Sequence, residues 1–169
     1  KRDKKMKNIK DYNLDELKKE FQELGEKPYR AEQVFMWLYK EKVKEFDDMT
    51  NISKELRQKI QENYTMCNYK IAKKLVSKDG TKKYLFDILD GNMIETVLME
   101  YHHGKTLCVS SQIGCKMGCK FCASTGIPFV RNLSSGEIVE QILAVEQEEN
   151  TKISNIVFMG IGEPFDNFD

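Results

Sequence analysis

The sequence predicts an α/β protein in which a small helical domain precedes a β-hairpin region and one βαβ unit. Three observations support this prediction. Apolar residues recur at helical spacing up to about residue 65, the period changes to that of strands near Asn68, and a strand–helix–strand pattern fills the last third of the 169 residues. That order of elements indicates parallel pairing, because parallel strands need a crossover connection.

Three helices are predicted in the first part of the chain. Asn13 and Glu16 form a capping-box pattern at the start of an apolar run. Pro28 suits the first turn of a second helix, and Ser53 suits the N-cap of a third. The expected buried positions are Leu14, Leu17, Phe21, Leu24, Ala31, Val34, Phe35, Leu38, Tyr39, Leu56 and Ile60. We expect this helical domain to span residues 1–67.

Residues 68–104 are predicted to form a β-hairpin extension, and residues 105–169 the βαβ unit. Segments rich in β-branched and aromatic residues alternate with Asp-Gly and His-Gly turns. The predicted strands are 69–77, 82–88, 93–101 and 105–111. A helix from residue 134 to about 149 and a buried strand over residues 155–159 follow them.

Composition indicates a soluble globular protein, with 40% hydrophobic and 32% charged residues. No apolar run approaches the ~18 residues of a membrane span and no signal-peptide pattern opens the sequence, so we expect a cytoplasmic protein without membrane contact. Residues 1–83 carry 22 basic and 15 acidic side chains, whereas residues 84–169 carry 5 and 12. The front half could therefore meet a polyanion, although on charge alone solvated helices are the simpler explanation.

Three of the five cysteines, Cys115, Cys119 and Cys122, lie within eight residues. Without a secretory signal, such clustering favours metal ligation or redox chemistry over a disulfide framework. Structural zinc usually takes four ligands in separated pairs, and only Cys108 or the His102–His103 pair could add a fourth, so zinc stays open. Three thiolates suit a 4Fe–4S cluster that leaves one iron free to bind a substrate.

The surroundings of these cysteines favour the cluster. Gly114 and Gly118 allow close approach of the backbone, and the loop follows a predicted parallel strand at the end where α/β active sites form. The next strand ends in a glycine-rich turn that contains Gly162, Glu163 and Pro164. Proline disfavours a helical conformation at the preceding residue, so Glu163 is expected to be extended. We expect this turn to lie beside the cysteine loop and to receive the amino group of a small ligand.

These motifs resemble those of the radical S-adenosylmethionine enzymes. The C-x3-C-x2-C spacing with an aromatic residue before the third cysteine, and the Gly-Glu-Pro turn, carry the resemblance. More closely, the segments that begin at Ile94, Leu107, Arg131 and Met159 are similar to those of dual-specificity rRNA/tRNA adenine-C2 methyltransferases, the RlmN type. The resemblance implies that residues 105–169 begin a partial (βα)6 barrel and that the helical domain is an RNA-binding accessory domain.

The resemblance also implies a role for each matching residue. The three clustered cysteines would bind a 4Fe–4S cluster, and Gly162, Glu163 and Pro164 would bind S-adenosyl-L-methionine. Glu95 would accept the proton from adenine C2. Cys108 would resolve a protein–RNA adduct by forming a transient disulfide with a cysteine that carries the methyl group.

The implied reaction is methylation of C2 in adenosine-2503 of 23S rRNA and adenosine-37 of tRNA, with flavodoxin or ferredoxin as the electron donor. A radical route suits this carbon, because it has no lone pair for ordinary methyl transfer. No cysteine follows Cys122, so the resemblance implies an N-terminal portion that is inactive alone. The alternatives are a C8-adenine rRNA methyltransferase, against which Pro164 stands, and a zinc-stabilised RNA-binding module without catalysis.

Overall fold

The computed structural model describes residues 6–88 and 90–168. The predicted domains also include residues 1–5, 89 and 169, which lie outside the described residues. The chain divides into two compact units. One comprises the residues up to Cys67 together with Ser135–Glu137, and the other comprises Asn68–Ser134 and Ile138–Asp169. Within the described part of the chain, no helix has the length and apolar character needed to cross a membrane.

The first unit contains the predicted helices. They are α1 (Leu14–Glu23), α2 (Pro28–Met36) and α3 (Lys54–Asn63). At the start of α1, the Asn13 side chain accepts a 3.0 Å hydrogen bond from the Glu16 amide, and the Glu16 carboxylate accepts a 2.9 Å bond from the Asn13 amide. This pair is the predicted capping box. Ser53 caps α3 by accepting a 3.3 Å bond from the amide of Leu56.

The chain after α2 departs from a regular helix. It continues into a π-helical turn, Trp37–Glu41, and ends where Lys42 takes a left-handed conformation with φ 55°. Short 3-10 turns lie at Ile9–Asp11 and Phe46–Asp48, and strand β1 (Lys7–Asn8) pairs in parallel with β2 (Tyr64–Thr65). The core of the unit includes Ile9, Leu17, Phe21, Ala31, Val34, Leu38, Met49, Leu56, Ile60 and Tyr64. The buried face of each helix is therefore the apolar stripe that its sequence predicts.

The second unit is built on a sheet. Its strands are β3 (Lys70–Val76), β4 (Lys82–Asp87), β5 (Met93–Tyr101) and β6 (Gly104–Cys108), followed by β7 (Gln112–Ile113), β8 (Arg131–Asn132) and β9 (Asn155–Val157). Among the described residues, β3, β4, β5, β6 and β9 form one sheet in that order. The first four pair antiparallel, whereas β6 and β9 pair in parallel.

Helix α4 (Ser135–Glu148) connects β6 to β9 and completes the predicted βαβ unit. From Ile138 onward it packs on the sheet face that carries the larger core side chains. That core includes Tyr84, Phe86, Ile94, Leu98, Leu107 and Val145. Just after the helix, the carboxylate of Glu149 accepts hydrogen bonds from Lys74, Lys82 and the buried Tyr84 hydroxyl. These contacts join the helix end to β3 and β4.

Two predicted strands differ from the observed ones. The fourth strand ends at Cys108 and not at residue 111. The following backbone bonds instead to the last residue of β9 and to the segment after it: the Val109 amide donates to the Val157 carbonyl at 3.0 Å and the Ser111 amide to the Ile161 carbonyl at 3.0 Å. The prediction of a buried strand over residues 155–159 is wrong. Only Asn155–Val157 form a strand, and it lies at the sheet edge with Ile156 46% exposed.

Candidate active site

The three clustered cysteines lie on a closed loop, residues 114–130, which we call the cysteine loop. Its two ends are held together by the antiparallel pair β7–β8, and the Val130 amide donates a 2.8 Å hydrogen bond to the Ile113 carbonyl. Gly114 has φ +70°, and a Cβ there would lie 1.9 Å from the Pro128 carbonyl oxygen. Only glycine fits this position, so the loop closes tightly just before the first cysteine.

The thiols on this loop have the chemistry of cluster ligands. Cys115 is half-buried, whereas Cys119 and Cys122 are exposed, and none of the three is in a disulfide. In the described residues, no three His, Cys, Asp or Glu side chains are close enough together to hold a metal ion. The donor set therefore fits an iron–sulfur cluster, but the side chains are not gathered at coordinating distances. Phe121, the aromatic residue before the third cysteine, is 93% exposed.

The zinc alternative depends on a fourth ligand. Cys108 ends β6, and His102 and His103 form the turn at the other end of that strand, where their rings are 5.0 Å apart. Five strand residues span about 13 Å, so Cys108 and the histidines cannot serve one ion together. The described residues do not gather any of them with the cysteine loop into a possible metal site.

The Gly-Glu-Pro turn lies directly against the base of the cysteine loop, as the sequence predicts. Glu163 is extended, with φ −107° and ψ 110°, and its carboxylate accepts a 3.0 Å bond from the Phe165 amide at the start of the 3-10 turn Pro164–Asn167. Gly162 has φ +111°, and a Cβ there would lie 2.7 Å from both the Cβ of Gln112 and the Oγ of Ser111. A side chain at this position would push the turn away from the loop base.

Side chains outside the predicted site residues hold these two loops together. The Ser110 hydroxyl donates a 2.7 Å bond to the Glu95 carbonyl and accepts a 3.1 Å bond from the Ile161 amide. The side-chain amide of Asn167 donates to the carbonyls of Ser111 and Leu133, both at 2.9 Å. The sequence signal that could have identified Ser110 is a run of polar residues, Ser-Ser-Gln, directly after an apolar strand.

Two fully buried glutamines also help to hold these segments together. Gln141 of α4 accepts bonds from the Thr96 hydroxyl at 2.8 Å and the Ser110 amide at 2.9 Å, and donates to the Ser110 carbonyl at 2.9 Å. Gln112 in β7 bonds to the Glu163 amide and to the side chains of Asn132 and Asp166. Buried side-chain amides with all these hydrogen bonds fix the geometry around them, because breaking one bond leaves a buried polar group without a partner.

Glu95 and Cys108 share one face of the sheet, on adjacent strands. Cys108 lies opposite Val97, and Glu95 is two residues before Val97 along β5, so Glu95 and Cys108 are diagonal neighbours. This is the face that α4 does not cover. Lys83 of β4 lies 3.3 Å from the Glu95 carboxylate, whose side chain is 42% exposed. A substrate resting on this face could therefore reach both side chains.

The environment of Cys108 controls its reactivity. Burial raises the pKa of the Cys108 thiol, and a hydrogen bond from the Met159 backbone offsets part of that rise. The thiol is therefore protonated at neutral pH. A protonated thiol is a poor nucleophile until a base removes its proton.

Comparison with known proteins agrees with this architecture. Residues 7–66 match the family model described as "Ribosomal RNA large subunit methyltransferase N-terminal domain". The crystal structure of a radical SAM methyltransferase from Sphaerobacter thermophilus superimposes with a TM-score of 0.86 at 38% identity, over 96% of this chain and 49% of that one.

Sequence relatives are equally informative. The "Probable dual-specificity RNA methyltransferase RlmN" of Clostridium novyi (strain NT) is 53% identical over 165 residues, which are 97% of this chain and 48% of the relative. The protein of the same name from Bacillus subtilis (strain 168) is 48% identical over 165 residues, 96% of this chain and 46% of the relative. The chain thus spans about half the length of the curated relatives it matches.

The chain, with its cysteine loop, is thus similar in fold to about half of a radical S-adenosylmethionine methyltransferase. More narrowly, the chain matches the N-terminal portion of the RlmN-type RNA methyltransferases. The family resemblance inferred from the motifs is confirmed.

Proposed function

We propose that this chain provides the cluster loop, the S-adenosylmethionine turn and two reacting side chains of a radical enzyme that methylates C2 of adenosine in RNA. One observation carries the proposal. The backbone of residues 160–163 bonds to residues 109–112 at the base of the cysteine loop, with the Glu163 amide 2.9 Å from the side-chain oxygen of Gln112. A small molecule that ligates a cluster on the cysteine loop would therefore be within reach of the Glu163 carboxylate on the Gly-Glu-Pro turn.

The proposed roles follow from this placement. Cys115, Cys119 and Cys122 would hold a 4Fe–4S cluster, which supplies the electron for reductive cleavage of S-adenosyl-L-methionine when bound. Gly162 and Pro164 keep Glu163 extended beside the loop base, where its carboxylate would accept hydrogen bonds from the amino group of the cofactor.

Glu95 and Cys108 would act on the RNA side of the reaction. Their diagonal placement puts a carboxylate and a thiol on one face, where Glu95 would take the proton from adenine C2. Cys108 would release the product by attacking the sulfur of the cysteine that links protein and RNA. The disulfide would form as the bond between that sulfur and the methylene carbon breaks, and the electron pair left on that carbon would take up a proton to complete the methyl group. Because the pKa of the Cys108 thiol is raised by burial, this attack requires a base to take its proton.

The proposed substrates are adenosine-2503 of 23S rRNA and adenosine-37 of tRNA. The relatives' names and the surplus of basic residues in residues 1–83 support an RNA substrate. A target base must be unstacked or already single-stranded to reach a site on the sheet face. We further propose a flavodoxin or ferredoxin as electron donor, a cytoplasmic location, and that β6, α4 and β9 begin a partial (βα)6 barrel.

The cluster can be tested on this chain by anaerobic reconstitution with iron and sulfide. We expect a brown protein with broad absorbance near about 400 nm, the region of thiolate–iron charge transfer. Cys119→Ala should lose the colour and most of the iron, whereas Cys67→Ala, which removes a thiol outside the loop, should keep both. A colourless protein holding one zinc would contradict the proposal and support the zinc-stabilised module.

The position of methylation needs a separate measurement. Mass spectrometry of RNA treated with an enzyme that includes this chain should place the new methyl group on C2. A methyl group on C8 would instead favour the related C8-adenine methyltransferase.

A further inference from the structure

Gln112 lies where the base of the cysteine loop meets the Gly-Glu-Pro turn, and it is fully buried. Its carbonyl oxygen accepts a 2.9 Å hydrogen bond from the Glu163 amide. Its amide nitrogen donates to the Oδ1 of Asn132 at 2.9 Å and to the Oδ2 of Asp166 at 2.8 Å. The Gln112 side chain therefore bonds to Glu163 in the Gly-Glu-Pro turn, to Asp166 in the 3-10 turn that follows it, and to Asn132 in β8, the strand that closes the cysteine loop.

A second contact extends this link into the cysteine loop. The Asp166 oxygen that accepts from Gln112 also accepts a 2.8 Å bond from the Nζ of Lys116, which follows Cys115 directly. The same Nζ lies 4.4 Å from the ring centroid of Phe129 on the returning side of the loop. Gln112, Asp166 and Lys116 thus form a continuous connection between Glu163 and the cysteines.

We propose that Gln112 is a positioning residue that fixes the Glu163 carboxylate relative to the cysteine loop and thereby determines affinity for S-adenosyl-L-methionine. Asp166 and Lys116 complete the connection. This inference rests on the proposed function, because it takes Glu163 as the acceptor for the amino group of the cofactor. Gln112 itself does not touch the reacting atoms.

The chemistry at this position demands an amide. Gln112 must accept one hydrogen bond and donate two, which a carboxylate cannot do. In Gln112→Glu the shape and the acceptor remain, but both donors are lost and a second carboxylate faces Asp166. Adding Asp166→Asn supplies a donor to the new carboxylate and removes the repulsion. If Gln112→Glu weakens cofactor binding and Asp166→Asn restores it, the hydrogen-bond pattern is the cause, because a second substitution would not restore binding to a damaged fold.

The first experiment measures binding of S-adenosyl-L-methionine to this reconstituted chain, from the change in the electron paramagnetic resonance signal of the reduced cluster. We expect Gln112→Glu to keep the cluster's iron content and absorbance but to bind S-adenosyl-L-methionine at least about tenfold more weakly. The double variant should recover most of that loss. Gln61→Glu, which adds the same charge at an exposed position on α3, should bind like the unchanged chain.

The second experiment needs no cluster. Hydrogen exchange in the metal-free chain should be faster at the amides of Glu163 and Phe165 in Gln112→Glu, because repulsion from Asp166 displaces the acceptor oxygen from the Glu163 amide. The exchange rates should return to those of the unchanged chain in the double variant. If Gln112→Glu does not fold, Lys116→Met replaces it, since that side chain is half exposed. We expect it to weaken binding about two- to fivefold.

Unchanged affinity together with unchanged exchange in Gln112→Glu, or in Lys116→Met if that variant is used, would overturn the inference. So would a loss that Asp166→Asn fails to reverse. Failure of the unchanged chain to take up a cluster or to bind S-adenosyl-L-methionine would count against the proposed function instead. The exchange experiment separates the two cases, because it tests the Gln112–Glu163 contact without any cofactor.

Discussion

Cys108 lies in an apolar strand, where a pattern of residues alone indicates a small buried hydrophobe. The structure gives it a more specific environment, half-buried and directly opposite Val97, on the sheet face that also carries Glu95. Glu95 is similar, because by sequence it is an ordinary carboxylate in a hairpin. For both residues only strand register places them together, and register depends on pairing between distant segments.

The reactivity of Cys108 gives a prediction at this scale. In the metal-free, reduced chain, iodoacetamide should modify Cys119 and Cys122 first, because both are exposed, and Cys108 more slowly. Since the pKa of the Cys108 thiol is raised above its ordinary 9.0, its modification rate should keep rising at pH values above that number. Mass spectrometry of peptides after timed quenching measures each rate. Equal rates for the three thiols at pH 8 would contradict the prediction.

At the scale of elements, the turn after β9 depends on one glycine. Gly162→Ala should destabilise the second unit by about 2 kcal/mol or more, because alanine is strained at positive φ and its Cβ would meet Gln112 and Ser111 at 2.7 Å. Gly118→Ala is the matched control, since a Cβ there meets nothing within 4 Å. Urea unfolding of the two variants and the unchanged chain measures the difference. A Gly162→Ala chain as stable as the Gly118→Ala chain would refute the steric explanation.

The attachment of α4 to the sheet gives a pH prediction. Burial raises the pKa of the Glu149 carboxyl, but the hydrogen bonds from Lys74, Lys82 and Tyr84 outweigh it and lower the pKa from 4.5 to about 2. A lowered pKa stabilises the folded state above pH 4.5, and that contribution is lost as the pH falls toward 2. Glu149→Gln should therefore cost about 1–3 kcal/mol at pH 7.

The loss of stability caused by Glu149→Gln should become progressively smaller at acid pH. Free energies of unfolding for Glu149→Gln and the unchanged chain, measured from pH 7 down to 3, should converge as the pH falls. Exposed Glu148, whose side chain is 38% exposed and bonds only to Lys74 among the contacts described, provides the control as Glu148→Gln. A stability difference for Glu149→Gln that stays constant across this range would contradict the ionic explanation.

Some elements were fully predictable because their signals are local. The capping box at Asn13, the proline at the start of α2 and the Ser53 cap each act within one helical turn, and all three are observed or begin the helix where expected. The π-helical turn at Trp37–Glu41 was not predicted, since its hydrogen bonds span only one residue more than those of the helix before it. The exposure of β9 was mispredicted because burial of a strand depends on what pairs and packs beside it.

At the scale of the whole molecule, the uneven charge distribution gives a prediction about RNA. If residues 1–83 meet phosphates, affinity for tRNA should fall steeply with salt, because binding releases counterions. Neutralising exposed Lys73 and Lys78 together by substitution with Gln should weaken binding and reduce the salt slope by at most about 2. Fluorescence anisotropy of labelled tRNA over a range of salt concentrations measures both quantities.

The control for that experiment is Lys152→Gln, which removes an exposed basic residue from the acidic second half. We expect it to leave both affinity and salt slope nearly unchanged. An effect of Lys152→Gln as large as that of the double variant would mean that net charge alone, and not its location in the front half, governs binding.

The sequence by itself determined the features of this protein that depend on short spacing: the helices and their caps, the order of strands, the closely spaced thiols and the extended glutamate before a proline. Only the tertiary structure decided that Glu95 faces the same way as Cys108 and that Gln112 joins the Glu163 turn to the cysteine loop. The physical reason is the separation along the chain between the residues that interact. A cap or a turn is stabilised by neighbours in the chain, whereas Gln112 bonds to an amide 51 positions away, and that contact exists only once the sheet has formed.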